Sequence, residues 1–138
     1  MTGPDPRLLT AYTAADYAVQ APRPFTLHVA EASAALSALQ RQFRVASSVV
    51  VTACNPRGER RDAQPNALAH QHLLRTVTGQ GWMYVPAINR DPRGEWPEEP
   101  ALLVLGPDET QSRELGRSFR QAAVLFSAAD GVPRLLWC

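Results

Sequence analysis

The sequence predicts an α+β fold, and three observations support this prediction. Two runs, SSVVVTAC and ALLVLG, have apolar residues on both faces, which is typical of interior strands. Shorter alternating runs indicate further strands, and apolar residues at helical spacing separate them. From residue 48 onward the predicted order is β-α-β-β-α-β with one more strand. That is the order of a ferredoxin-like split βαβ core, which we place at about residues 47–127 with an extra C-terminal hairpin strand.

The first 45 residues are predicted to add a helix, a strand and a second helix. Leu8, Tyr12, Ala15 and Val19 have helical spacing, and the following APRP segment ends that helix. FTLHVA alternates in polarity as a half-buried strand does. Ser33 is the predicted cap of the second helix. We expect this addition to cover an edge or the open face of the sheet.

The core elements have their own signals. A helix is predicted from about Pro65 to Thr78, and its predicted inward face is Ala67, His70, Leu74 and Val77, with Leu73 beside it. WMYVPA contains Pro86, which favours an edge strand.

The later elements are equally marked. Asp108 and Gln111 are spaced for a capping box. Gly116 would let the last helix approach the sheet closely. Asp130 and Gly131 predict the turn of a final hairpin that ends in PRLLWC.

Composition limits the possible functions. The chain has 138 residues, which predicts a single domain over 1–138. All fourteen basic residues are arginine, so lysine chemistry and a lysine-bearing phosphate loop are excluded. The net charge of +1 predicts no attraction to nucleic acid or to a membrane. Two cysteines without a paired motif, and no apolar signal core, predict a cytoplasmic protein.

The predicted topology brings four segments to one end of the sheet. These are the end of the first core strand, the start of the following helix, the 88–100 loop and the end of the last helix. The loop contains Pro92, Pro97 and Pro100, and Trp96 is its predicted anchor on the core. The ligand-binding candidates at this rim are Asn55, Asn66, His70, Asp91, Trp96, Glu98, Arg117 and Gln121.

Three functions remain open for this rim. In the first, a binding or regulatory domain holds an anionic small molecule. Its partners are a helix start and the arginines 57, 60, 90, 93, 117 and 120. In the second, a metal-assisted hydrolase uses Glu98 or Glu99 with Asp91 and His70, Mg²⁺ or Mn²⁺ being the expected metal. In the third, the chain is a protein-interaction module, for example a homodimer, without a small-molecule site. No cofactor motif is present, and catalytic residues cannot be assigned.

Several segments together resemble the bacterial domain-of-unknown-function family number 3293. They are AYTAADYAV, VTACNP, the helix start at Asn66, DPRGEWPEEPALLVLG, LGRSFRQAAVLF and DGVPRLLWC. The resemblance covers nearly the whole chain. It implies a shared fold and no particular activity. It also draws attention to these matching residues: Tyr12, Thr13, Tyr17, Asn55, Pro56, Asn66, Asp91, Gly94, Trp96, Pro97, Glu98, Gly106, Gly116, Arg117 and Gln121.

The chain departs from this family's pattern at two places. Ala122 stands where the pattern has Asn, and Ala87-Ile88 stands where it has a turn with Gly. If that Asn is functional in the family, its function is altered in this chain.

Overall fold

The computed structural model describes residues 5–138, which form four α-helices and seven strands. The helices are α1 (Pro6–Ala14), α2 (Ala34–Gln42), α3 (Ala63–Gly79) and α4 (Glu109–Ser118). The strands are β1 (Asp16–Val19), β2 (Phe25–Leu27), β3 (Ser48–Val51), β4 (Met83–Arg90), β5 (Glu99–Leu105), β6 (Ala123–Ser127) and β7 (Arg134–Trp137). The predicted α+β class is therefore confirmed.

All seven strands belong to one antiparallel sheet with the order β2-β1-β4-β5-β3-β6-β7. The two all-apolar runs, β3 and β5, lie next to each other inside the sheet, as their composition predicted. The final hairpin pairs β6 with β7, which is an edge strand. All neighbouring strands pair antiparallel, and because β3 and β5 are apolar on both faces, both faces of the sheet must be covered.

The two faces of the sheet carry separate hydrophobic clusters. On one face, Leu73 and Val77 of α3 pack on strand residues such as Val49, together with Leu115 of α4 and Phe119 at its C-terminal cap. On the other face, Leu36 of α2 packs with residues of β1, β3 and β5. Because side chains alternate along a strand, Val49 and Val51 join the first cluster and Val50 joins the second. The N-terminal addition therefore covers the second face and also extends the sheet.

One helix prediction was wrong near the N-terminus. The helical spacing of positions 8 to 19 predicted a single helix, but α1 ends at Ala14, and residues 16–19 form β1 between β2 and β4. The residues Ala15, Tyr17 and Val19 also alternate with a period of two, and the sheet uses that pattern. The addition is thus helix-strand-strand-helix.

The edge position predicted for Pro86 was also wrong, because β4 lies between β1 and β5. Gln20, just after β1, donates its backbone N–H to the Pro86 carbonyl (2.9 Å). A residue's N–H and C=O face the same neighbouring strand in an antiparallel ladder, so the missing N–H of Pro86 faces the end of β1. Proline is tolerated inside the sheet because no bond to β5 is lost.

Two element boundaries differ from the sequence prediction. The connection predicted over 88–100 is shorter, since β4 extends to Arg90 and β5 begins at Glu99. The Ala87-Ile88 pair consequently lies in β4, paired with β1, rather than in a turn. On α3 the inward residues are Leu73 and Val77, whereas Ala67 is exposed.

The predicted helix caps are confirmed. Ser33 Oγ accepts the Leu36 N–H (3.1 Å) at the start of α2. Asp108 and Gln111 form a reciprocal capping box at the start of α4. Within residues 5–138, no helix has both the length and the apolarity that crossing a membrane requires.

Gly116→Ala is expected to lower the free energy of unfolding by about 1–3 kcal/mol. A Cβ at this position would lie 2.5 Å from Cys138 Sγ and 2.8 Å from Val124 Cγ1, so α4 and the sheet would have to move apart. Urea denaturation measures the change. The control is Gly79→Ala at the end of α3, where a Cβ would meet no atom within 4 Å. Equal stability of the two variants would contradict the close approach of α4.

Candidate functional site

A partly open cavity of about 70 Å³ lies at the end of the sheet where β3 and β4 finish. Its walls come from α1, the segment after β3, the β4–β5 hairpin, and β6 with β7. Val50, Val124, Leu125 and Leu135 supply apolar wall, while Tyr12, Asn55, Asn89, Asp91, Trp96, Glu99 and Gln121 supply polar and aromatic groups. This is enough space for a few water molecules or one group of a small ligand.

Asn55 is the best-anchored polar residue in the cavity. It is buried and has left-handed backbone dihedrals (φ 46°, ψ 60°), which Asn tolerates better than most residues. Its backbone N–H donates to Asn66 Oδ1 (2.9 Å), and Asn66 Nδ2 donates back to Asn55 Oδ1 (2.9 Å). The Arg61 backbone N–H donates to the same Asn55 oxygen (2.8 Å). These two donors fix the amide so that Asn55 Nδ2 points the other way, toward Glu99.

Glu99 accepts a hydrogen bond from the Asn55 amide. Asn55 Nδ2 donates to Glu99 Oε2 (2.7 Å), and no other side chain of residues 5–138 donates to this carboxyl. Burial raises the pKa of Glu99 from 4.5 to about 7, while the hydrogen bond from Asn55 lowers it by less. A carboxyl with such a pKa is present in both protonation states near neutral pH. It can therefore accept or donate a proton in the cavity.

Asn89 and Tyr17 lie in the same row as Glu99. Asn89 is paired with Glu99 across β4 and β5, and with Tyr17 across β1 and β4. Directly paired residues point to the same face of a sheet, so all three side chains face the side covered by the N-terminal addition. The Tyr17 hydroxyl donates to the Tyr12 carbonyl (2.7 Å), but Asn89 Oδ1 is buried without a hydrogen-bond partner in the described part of the chain.

Asp91 has a different role from Glu99. Its Oδ1 accepts the Arg93 N–H (2.9 Å) and the Arg93 guanidinium (3.2 Å), and its Oδ2 accepts the N–H groups of Glu95 and Trp96 (both 3.1 Å). Burial would raise the pKa of Asp91, but these donors together lower it below its ordinary value. Asp91 is thus an ionised carboxylate that holds the 91–96 loop in shape.

The loop also holds Trp96 at the cavity. The Arg60 guanidinium lies 5.5 Å from the centre of the Trp96 ring and donates to the Glu95 carbonyl. Arg60 therefore links the segment after β3 to the loop between β4 and β5. Trp96, which Arg60 contacts, is one of the residues that line the cavity.

Gln121 closes the cavity from the end of α4. Its Nε2 donates to the carbonyls of Cys54 (3.1 Å) and Phe119 (3.3 Å). The neighbouring Arg120 carbonyl accepts the Arg57 N–H (2.8 Å). The end of α4 and the end of β3 thus meet at the same rim, as the predicted chain path requires.

Four of the predicted site residues lie outside the cavity wall. Glu98 is exposed and pairs with Arg90 (3.3 Å), whereas the neighbouring Glu99 lines the cavity. Arg117 is exposed on α4, near the Cys138 thiol. His70 is half-buried on α3; burial lowers its pKa, and its Nδ1 has no partner among the described residues. Asn66 does not line the cavity; its side chain forms two hydrogen bonds with Asn55, which does.

The arginines predicted for the rim are mostly engaged or exposed. Arg60 and Arg93 bind groups of the 91–96 loop, and Arg90 pairs with Glu98 while lining the cavity. Arg57, Arg117 and Arg120 are exposed. Of these arginines, Arg90 is the one that lines the cavity.

Asn89 was missed in the sequence, although a signal for it exists. Val85, Ala87 and Asn89 alternate along β4, and Glu99, Ala101 and Leu103 alternate along β5. The apolar members of both series belong to the second hydrophobic cluster. Asn89 and Glu99 therefore occupy positions that the alternation assigns to the interior, where a polar residue needs an explanation.

The fold and the cavity define an α+β protein with one antiparallel sheet and a small cavity around a buried glutamate. A family model described as "Protein of unknown function (DUF3293)" matches residues 51–124, and the chain belongs to this family. The resemblance found in the sequence is thereby confirmed. The matched range includes Asn55, Asn66, Asp91, Glu99 and Gln121. The comparisons with curated proteins and with solved structures gave no match.

Proposed function

We propose that this protein is a binding domain for a small molecule that occupies the cavity around Glu99. The observation that carries the proposal is the carboxyl of Glu99, which is held in a cavity wall by one hydrogen bond from Asn55. Burying a carboxyl with so few partners is unfavourable for folding, and such groups concentrate at functional sites. Two hydrogen-bonded residues hold the cavity wall in place. Asn66 Nδ2 donates to Asn55 Oδ1, and Asp91 Oδ2 accepts the backbone N–H of Trp96.

The anionic ligand expected from the sequence draws support from Arg90, the arginine that borders the cavity. Its pairing with Glu98 lessens that support. For the metal-assisted hydrolase, the support is that Asp91 and Glu99 both line the cavity. Against it, Asp91 already accepts four hydrogen bonds, and residues 5–138 contain no group of three or more His, Cys, Asp or Glu placed to hold a metal. We therefore favour binding over metal-assisted catalysis.

The finer fold assignment also belongs to this proposal. We infer a ferredoxin-like core within a single domain, supported by the order β4-β5-β3-β6 and by the packing of α3 and α4 on one face. A cytoplasmic location is supported by two free cysteines, Cys54 and Cys138. Homodimer formation has only the exposed edge strand β7 in its favour.

The proposal is tested by filling the cavity. A library of small fragments is screened by ¹H–¹⁵N NMR, and the side-chain resonances of Asn55, Asn89 and Trp96 serve as reporters. We expect fragments that shift these resonances in the native protein to lose affinity at least tenfold in Ala123→Leu, because Ala123 lines the cavity. Ala67→Leu, at an exposed position of α3, is the matched control and should bind normally. Fragments that shift none of the reporters would contradict the proposal.

A further inference from the structure

Resting on the proposed function, we propose that the ligand carries a protonated nitrogen, such as an ammonium or amidinium group, that donates hydrogen bonds to Glu99 and Asn89 at the base of the cavity. The rest of the ligand is a small apolar body against the aliphatic wall. The inference deepens the proposed function by naming the chemical class of its ligand, and it rests on which polar groups of the cavity remain free.

Three of the donors that line the cavity are occupied within the protein. Asn55 Nδ2 donates to Glu99, and Gln121 Nε2 donates to the carbonyls of Cys54 and Phe119. The Tyr17 hydroxyl donates to the Tyr12 carbonyl. The donors of the cavity that have no acceptor among residues 5–138 are the Tyr12 hydroxyl, the Trp96 indole N–H and the Asn89 amide.

Two acceptors in the cavity wall also lack a full set of partners. Asn89 Oδ1 is buried and has no partner among residues 5–138, and Glu99 accepts one side-chain hydrogen bond. The two residues are directly paired across β4 and β5, so their side chains stand side by side on one face. Two neighbouring acceptors, one of them able to carry a negative charge, match a group with several N–H donors and a positive charge.

The other titratable groups around Glu99 do not replace it as the charged acceptor. Burial raises the pKa of the Tyr12 phenol to about 12, and burial also raises the pKa values of Tyr17 and Cys54, so these three are neutral near pH 7. Asp91 and Arg90 also line the cavity, but Asp91 is bound to Arg93 and Arg90 is paired with Glu98. The charge that a ligand meets at the base is therefore set by Glu99.

A cation and an anion have opposite pH dependence at such a site. A cationic head favours the ionised carboxylate, so its affinity rises as the pH rises through about 7 and then stays level until the amine itself loses its proton. An anionic head favours the protonated acid, so its affinity rises as the pH falls. A neutral head follows neither trend strongly.

The test compares three probes that share a phenyl body, namely benzylamine, benzyl alcohol and benzoate. Their dissociation constants are measured by NMR titration at about pH 5.5 and about pH 8.5. We expect benzylamine to bind about tenfold more tightly at the higher pH, and more tightly there than the other two probes. Glu99→Gln should abolish this pH dependence and the preference for the amine. Glu59→Gln, an exposed acid at the same end with the same loss of charge, should leave both unchanged.

The remaining outcomes overturn the inference in different ways. If benzoate or benzyl alcohol binds best and shifts the Asn89 and Trp96 resonances, the ligand class is wrong while the cavity is still a binding site. If fragments of other chemistry are sensitive to Ala123→Leu but none of the three probes binds, the inference fails and the proposed function stands. If no compound shifts the reporters, both fail.

Discussion

Glu99→Gln is expected to raise the free energy of unfolding at about pH 8 by roughly 3 kcal/mol. In the native protein the Glu99 carboxyl has a pKa of about 7, against 4.5 for an ordinary glutamate, because burial disfavours its charged form. At pH 8 the folded protein must carry this unfavourable charge. Glutamine has nearly the same shape, keeps an oxygen for Asn55 Nδ2 and carries no charge.

The free energy of unfolding should also change with pH in a direction that can be measured. Because the folded pKa of Glu99 is raised, its favourable contribution is present below pH 4.5 and is lost as the pH rises to about 7. The native protein should therefore lose stability between these values and stay level above them, and the variant should lack this decline. Urea denaturation at several pH values measures both curves. A variant no more stable than the native protein at pH 8 would contradict the prediction.

Asn55→Ala is expected to lower the free energy of unfolding by about 3 kcal/mol. The substitution removes the acceptor of the Arg61 N–H and of Asn66 Nδ2, and it removes the donor to Glu99. It also places alanine in a left-handed backbone conformation (φ 46°), which is strained for a residue with a Cβ and no local hydrogen bond. Thermal and urea denaturation measure the loss.

Two further variants separate the causes of that loss. Asn55→Gly removes the same side chain without backbone strain, so it should cost about 1 kcal/mol less than Asn55→Ala. Asn66→Ala removes only the reciprocal partner and leaves the hydrogen bond from Asn55 to Glu99 in place. It should destabilise the protein least of the three. A neutral Asn55→Ala would show that Asn55 does not organise this end of the sheet.

Much of the fold could be predicted from the sequence because its strongest signals are local. The apolar runs at 48–54 and 101–105 marked the interior strands β3 and β5, and the Asp108–Gln111 pair marked the start of α4. The strand β1 was missed because four residues with two possible periodicities carry little information. Its place in the sheet is decided by pairing with β4, which lies about seventy residues further along the chain.

The location of the cavity was predictable from the sequence, but the contacts of its polar residues were not. Chain direction alone placed the ends of β3, β4 and α4 together, and the structure brings Asn55, Trp96 and Gln121 to one cavity. The choice between Glu98 and Glu99 depends on strand register, because adjacent residues point to opposite faces. The partners of Asp91 depend on the loop conformation, which sequence periodicity does not describe. The free oxygen of Asn89 became visible only when the packing around it was known.

The most direct test of this account is the titration of the Glu99 side-chain carboxyl, followed by ¹³C NMR and assigned with Glu99→Gln. We predict a midpoint near the pKa of about 7 that burial in the cavity gives this residue, and a lower midpoint once benzylamine is bound. A midpoint close to 4.5, unchanged by the amine, would mean that the carboxyl is solvated. It would contradict both the cavity and the ligand class inferred from it.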